Sequence, residues 1–185
     1  MTIPNLITGL RIIVTPIFII YLINDRFLSA LVVFILAGLS DGVDGLIARL
    51  FNQKSKLGAV LDPLADKILL VTAFFVLSVR GFTPSWLTVM VISRDILILL
   101  GVLIAFLSKG GVTIKPSLLS KCTTCMQLGT VFMVLSTDYL HFSPGFTRYV
   151  FWITGGLTVG SGLHYMAYWF RMMGEGSLED DKISV

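Results

Sequence analysis

Asp41-Gly42-Val43-Asp44-Gly45-Leu46-Ile47-Ala48-Arg49, eight further residues, then Gly58-Ala59-Val60-Leu61-Asp62-Pro63-Leu64-Ala65-Asp66: this stretch decides the fold. It sets four aspartates inside segments that otherwise read as membrane-spanning. A carboxylate at the centre of a bilayer helix costs roughly 2.5–3.5 kcal/mol on insertion scales, so ionisable groups at such depth mark functional sites. Four of them need compensating charge, and cations are the simplest source.

The flanking chain supports the membrane reading. Of its 185 residues, 55% are hydrophobic and 14% charged, with a mean hydropathy of +0.89; a soluble domain carries about 25% charge. Apolar runs near or above the ~18-residue spanning threshold recur along the whole length. Backbone groups in lipid must bond internally, and the alternating pattern of a β-barrel is absent, so the chain is expected to be an all-α integral membrane protein. Residues 1–173 read as one membrane domain and 174–185 as a polar cytoplasmic tail. The net charge of +3 is too small to suggest a nucleic-acid partner. Met1-Thr2-Ile3-Pro4-Asn5 lacks the basic start of a secretory signal, and a bacterial cytoplasmic membrane is the expected location.

Six transmembrane helices fit, over about 6–24, 28–51, 58–79, 84–107, 118–137 and 146–171. Arg49, Lys54, Lys56, Lys109, Lys115, Lys121, Arg171 and Lys182 fall on one side of this layout, against Arg26, Arg80 and Arg148 on the other. The richer side is expected to be cytoplasmic, and both termini with it. Asp41 and Asp44 then lie near the cytoplasmic end of helix 2, and Asp62 and Asp66 near the cytoplasmic start of helix 3. The short loop between them predicts antiparallel neighbours, with the four carboxylates at one depth.

At 100° per residue, Asp41, Asp44, Gly45, Ala48 and Arg49 share an arc of ~140°, and Gly58, Asp62 and Asp66 one of ~80°. Four acids supply eight oxygens, enough for one or two hard divalent cations, and a pair of ions ~3.5–4 Å apart is the usual clamp for phosphoryl transfer. Gly45, Ala48 and Gly58 leave a notch beside the backbone. Arg49 can fork onto phosphate oxygens. A salt-bridge network through Arg49 and Lys67 would leave two acids unpaired. An ion or proton transporter is the other functional class, but its acids tend to lie at the midplane in broken helices.

The pattern D-x-x-D-G-x-x-A-R-x8-G-x3-D-x3-D resembles the signature of the CDP-alcohol phosphatidyltransferases. Asp41, Asp44, Gly45, Ala48, Arg49, Gly58, Asp62 and Asp66 fill it without a gap, and the six-helix layout is similar over nearly the whole chain. The resemblance implies a homodimeric membrane enzyme that uses Mg²⁺ or Mn²⁺ and a CDP-linked lipid donor, usually CDP-diacylglycerol. It implies metal binding by Asp41, Asp44, Asp62 and Asp66, with Asp66 also the general base. Gly45 and Ala48 would line the cytidine site, next to Gly58, and Arg49 would contact phosphate. Phosphatidyl transfer to an acceptor hydroxyl would release CMP. A base so close to cations has its proton affinity lowered, so positioning and charge stabilisation carry most of the rate.

Other segments bear on the acceptor. Ile3-Pro4-Asn5-Leu6-Ile7-Thr8, Arg11 and Asp62-Pro63-Leu64-Ala65-Asp66-Lys67 look like the glycerol-acceptor branches of the family. Glycerophosphate enzymes of the family commonly carry a further arginine after R-E and a second lysine in a K-x-K-T-x-x-Q segment. Here Val102 and Thr123 stand at those places. Ser93-Arg94-Asp95 and the segment from Lys115 to Gln127 look more like the cardiolipin-synthase type, which implies phosphatidylglycerol as acceptor, with glycerol 3-phosphate the alternative. Arg94, Lys115 and Lys121 are the candidate acceptor-binding cations. Asp95 is expected to pair with a neighbouring cation. Cys122 and Cys125 read as small helix residues, since structural zinc needs four ligands. His164 is expected to pack or hydrogen-bond, and Trp86, Trp152 and Trp169 to anchor at interfaces.

Overall fold

The computed structural model describes the backbone over residues 3–51, 58–107 and 118–183, and side chains over 13–40, 67–101 and 118–167. The described backbone is helical apart from its connecting turns and contains no strand. Its helices are α1 (Ile3–Ile23), α2 (Phe27–Phe51), α3 (Gly58–Val79), α4 (Ser85–Leu107), α5 (Leu118–Leu135), the single turn α6 (Thr137–Leu140) and α7 (Pro144–Ile183). The six expected helices are present within a few residues, and α6 lies in an expected break. Pro4 falls in the first turn of α1, where a missing N–H costs nothing.

One end departs further. The last helix was expected to stop near 171, but α7 continues to Ile183, so the polar stretch from Gly174 is helical as far as that residue. Hydropathy marks where an apolar run ends, not where a helix ends. No proline follows Pro144, and Gly174 and Gly176 cost only about 1 kcal/mol each in a helix interior.

Two glycine-type turns close the same side of the bundle. At the end of α1, Arg26 N–H donates to Tyr21 C=O at 2.9 Å and Asp25 N–H to Leu22 C=O at 3.3 Å, with Asp25 in the left-handed region at φ 57°. At the end of α3, Phe82 N–H reaches Leu77 C=O and Gly81 N–H reaches Ser78 C=O, both at 2.9 Å, with Gly81 at φ 78°. These are Schellman closures, which satisfy carbonyls that a helix end leaves open. Arg80 joins the two turns: its guanidinium donates to Ile23 C=O at 2.8 Å and pairs with the Asp25 carboxylate. The rings of Phe27 and Phe82 meet edge to face, 4.9 Å apart.

α1 packs against both α2 and α3, α4 packs against α3 and α7, and α5 touches α2, α3 and α7. Phe18 and Leu22 of α1, Phe34 of α2, and Phe74 and Leu77 of α3 form one buried cluster, with Phe18 and Phe34 ring centroids 5.9 Å apart. The expected meeting of α2 and α3 concerns their signature ends, whose surroundings lie outside the described residues. Among the described residues the two helices make no extended contact, and each seats on α1.

The outward faces are apolar. Leu28, Val32, Ile35, Leu36 and Leu39 line the outside of α2, Ile96, Leu97 and Leu100 that of α4, and Trp152, Val159, Leu163 and Met166 that of α7. Among the described residues, Leu118–Leu135 is long and apolar enough to cross a membrane; Ile13–Ile23, Phe27–Ser40 and Lys67–Val79 are shorter apolar stretches.

Candidate active site

The backbone carries the signature on two helices. Asp41 to Arg49 lie in α2, and Gly58 to Asp66 form the start of α3. Helical spacing therefore holds for Asp41 and Asp44, and for Gly58, Asp62 and Asp66. The side chains of Asp41, Asp44, Arg49, Asp62 and Asp66, and the surroundings of Gly45, Ala48 and Gly58, lie outside the described residues. Lys115 lies outside them too.

Immediately past the signature the structure is explicit. Lys67 of α3 donates from Nζ to Asp95 Oδ1 of α4 at 2.7 Å. Arg94 Nη1 donates to the same oxygen at 2.7 Å. Arg94 Nη2 then reaches Ser120 Oγ of α5 at 2.7 Å, the Ser120 carbonyl at 3.3 Å and Ser161 Oγ of α7 at 3.1 Å. One ionic centre thus ties α3, α4, α5 and α7 together. Arg94 is 3% and Asp95 1% exposed, whereas the Lys67 side chain is 18% exposed. Asp95 Oδ2 and Arg94 Nε have no partner among the described residues. Burying such groups costs several kcal/mol per ion unless geometry and hydrogen bonds repay it, and breaking one pair leaves a stranded charge.

A seam of hydroxyls extends this centre between α5 and α7. Thr123 Oγ1 donates to Leu157 C=O at 3.1 Å, Gln127 Nε2 to Thr158 Oγ1 at 3.2 Å, and Thr130 and Thr154 hydroxyls bond to each other at 2.8 Å. Thr123, Gln127, Thr130 and Thr154 are fully buried. Small residues on α7 let the helices close: a Cβ on Gly155 would lie 2.7 Å from Trp86 Cζ3, while one on Gly156 would meet nothing within 4 Å.

The expected cations therefore separate. Arg94 is interior, with its guanidinium bonded to Asp95, Ser120 and Ser161. It meets the start of α5 through Ser120, the residue before Lys121, and Lys121 itself is exposed. Asp95 does pair with a neighbouring cation, in fact with two. Lys67, weighed from the sequence as an ion-pair partner of the signature acids, joins the centre across helices through Asp95. Cys122 and Cys125 are free and exposed on α5. His164 is exposed on α7 instead of packed, because the inner face of that helix is taken by Thr154, Thr158 and Ser161. Trp86 packs against the outward Trp152 with centroids 4.9 Å apart and ring planes tilted by 32°.

A helical bundle with this signature on adjacent-in-sequence helices defines a class. Residues 1–160 match the CDP-alcohol phosphatidyltransferase family, and the chain belongs to that family. It is 35% identical over 184 residues to a cardiolipin synthase (CMP-forming) of Rattus norvegicus, covering 90% of this chain and 61% of that protein. It is also 35% identical over 195 residues to a CDP-diacylglycerol–glycerol-3-phosphate 3-phosphatidyltransferase of Pseudomonas fluorescens, covering 97% and 96%. A putative cardiolipin synthase of Mycobacterium tuberculosis is 33% identical over 126 residues, 67% of this chain and 59% of that protein. The chain spans about three fifths of the length of the mammalian relatives it matches.

Proposed function

We propose that the chain is an integral membrane phosphatidyltransferase of phospholipid biosynthesis that moves a phosphatidyl group from CDP-diacylglycerol to a glycerol-type hydroxyl and releases CMP. The observation that carries this is the complete eight-position signature within residues matched to the family. The helices are the right size for the setting: α1 to α4 have 21, 25, 22 and 23 residues, and about 20 residues cross a ~30 Å hydrocarbon core. The apolar outward faces suit lipid better than water. We read α1–α5 and α7 as six spans with cytoplasmic termini, the site facing the cytoplasm of a bacterial membrane, and the functional unit as a homodimer.

Asp41, Asp44, Asp62 and Asp66 are the residues that would hold Mg²⁺ or Mn²⁺; all-oxygen, carboxylate-rich donors suit these hard ions. When bound, such an ion supplies neutralisation of the donor diphosphate. Arg49 adds a fixed positive charge on the same helix face. Asp66 takes the proton of the acceptor hydroxyl, whose oxygen attacks the lipid-side phosphorus in line. The small residues Gly45, Ala48 and Gly58 admit the cytidine end of the donor.

Phosphatidylglycerol is the favoured acceptor. It carries one negative charge, where glycerol 3-phosphate brings two and calls for a denser basic pocket. Val102 and Thr123 replace two cations, and Thr123 is sealed between α5 and α7 by its bonds to Leu119 and Leu157 carbonyls. Glycerol 3-phosphate is the second reading, favoured by the end-to-end similarity to the Pseudomonas protein. The deciding experiment supplies purified protein with CDP-diacylglycerol and Mg²⁺, offers each acceptor in turn and identifies the product by mass. Cardiolipin from phosphatidylglycerol is expected. CMP release with neither acceptor overturns both glycerol readings.

A further inference from the structure

We propose that Lys67, presented by Asp95, is the residue that meets the phosphate of the acceptor; this inference rests on the phosphatidyltransferase reading. Arg94, the obvious candidate, is poorly placed for it. Nη1 is held by Asp95, Nη2 by Ser120 and Ser161, and the side chain is 3% exposed. An incoming phosphate would have to break that network before it could be forked. Lys67 keeps access. Its ammonium has three donors, one of which goes to Asp95, and its side chain is the part-exposed member of the centre.

Position and charge point the same way. Lys67 follows Asp66 directly, about 100° further round α3, on the flank that faces Asp95 of α4. In both candidate acceptors the attacking hydroxyl and the phosphate ester sit on the two terminal carbons of one glycerol. A base at 66 and an ammonium at 67 can address the two ends of that unit from neighbouring faces of one helix turn. Among the described residues, Lys67 and Arg94 share a single carboxylate oxygen, which leaves positive charge in excess where screening is weak. A phosphate monoester or diester supplies the missing anion. Asp95 is then a positioning residue: it touches no substrate, but its Oδ1 aims the Lys67 ammonium and anchors it through Arg94 to α5 and α7.

The test uses the full chain in lipid–detergent micelles with CDP-diacylglycerol and Mg²⁺, and separate arms for phosphatidylglycerol and glycerol 3-phosphate. In whichever arm the wild-type protein turns over, Lys67→Met should raise the acceptor KM about tenfold or more and leave the donor KM within about twofold. Lys67→Arg should recover most of the loss. Asp95→Asn should show the same split, and the Lys67→Met/Asp95→Asn double variant should be no worse than Lys67→Met alone, since both changes act through one contact. Equal rises in both KM values, or no change in either, overturn the role of Lys67. Additive losses in the double variant overturn that of Asp95. If Asp95→Asn does not fold, the Lys67 pair and Asp95→Glu decide the matter. A wild-type protein that releases no CMP in either arm overturns the parent reading instead, a result distinct from all of these.

Discussion

Between α1, α2 and α3 the buried side chains are hydrocarbon apart from Thr15, with Phe18, Leu22, Phe34, Ala73, Phe74 and Leu77 at the centre. Between α4, α5 and α7 buried hydrocarbon such as Leu87, Val91, Val131 and Leu135 is joined by Arg94, Asp95, Thr123, Gln127, Thr130, Thr154 and Ser161. The contrast is instructive because lipid tails are as apolar as leucine. Hydrocarbon packing in a bilayer discriminates by shape alone, whereas interhelical hydrogen bonds fix rotation and register. The first half bears the signature at one end of α2 and α3. The second half sets its polar groups against α3, and Lys67 and Asp95 form the ionic contact between the two.

The largest expected effect concerns the signature. Asp66→Asn should lower phosphatidyl transfer by about 10²–10⁴-fold, the usual worth of a general base, with CDP-diacylglycerol binding retained; turnover near the wild-type rate would remove Asp66 from its assigned role. Chelation by EDTA should abolish activity in the same assay, and restoration by Mg²⁺ should follow. Next comes the hydrocarbon half. Phe74 is completely buried, and Phe74→Ala should cost about 3–5 kcal/mol of stability, read from the unfolding midpoint in a graded denaturing detergent. A loss below that measured for an exposed control such as Phe75→Ala would show that this half is not close-packed.

Smaller effects probe the polar half. Gly155→Ala should destabilise by about 1–3 kcal/mol through overpacking against Trp86, while Gly156→Ala, which meets open space, should stay within about 0.5 kcal/mol. Equal effects at the two sites would contradict the close approach of α4 and α7. Last, a double-mutant cycle on Thr130→Val and Thr154→Val should return a coupling near 0.6 kcal/mol, the average for such bonds in membranes. A coupling of zero would reduce the seam to packing.

Much of this was legible in the sequence, for identifiable reasons. Helix positions follow from apolar run length, and Asp41 to Asp66 announce themselves because carboxylates are costly in that setting. The seating of both α2 and α3 on α1 was not legible: periodicity names the face a helix buries but not its partner. The extent of α7 was hidden because polar residues can continue a helix past the point where apolar ones stop. Arg94 read as a candidate acceptor-binding cation; its bond to Ser161, 67 positions later, could not be seen from its sequence neighbours. Thr123 read as a missing lysine; the structure adds that this position is sealed between two helices.

The Arg80 clamp bears on the order of assembly. Its partners, Ile23 and Asp25, belong to the turn after the first helix, 57 and 55 residues upstream. While the chain is being made, that turn emerges well before Arg80 exists. The Ile23 carbonyl gains this donor only after the third helix has been made and has brought its guanidinium alongside. Arrival of Arg80 therefore works as a latch that joins the turn after α1 to the turn after α3 once the third helix is made.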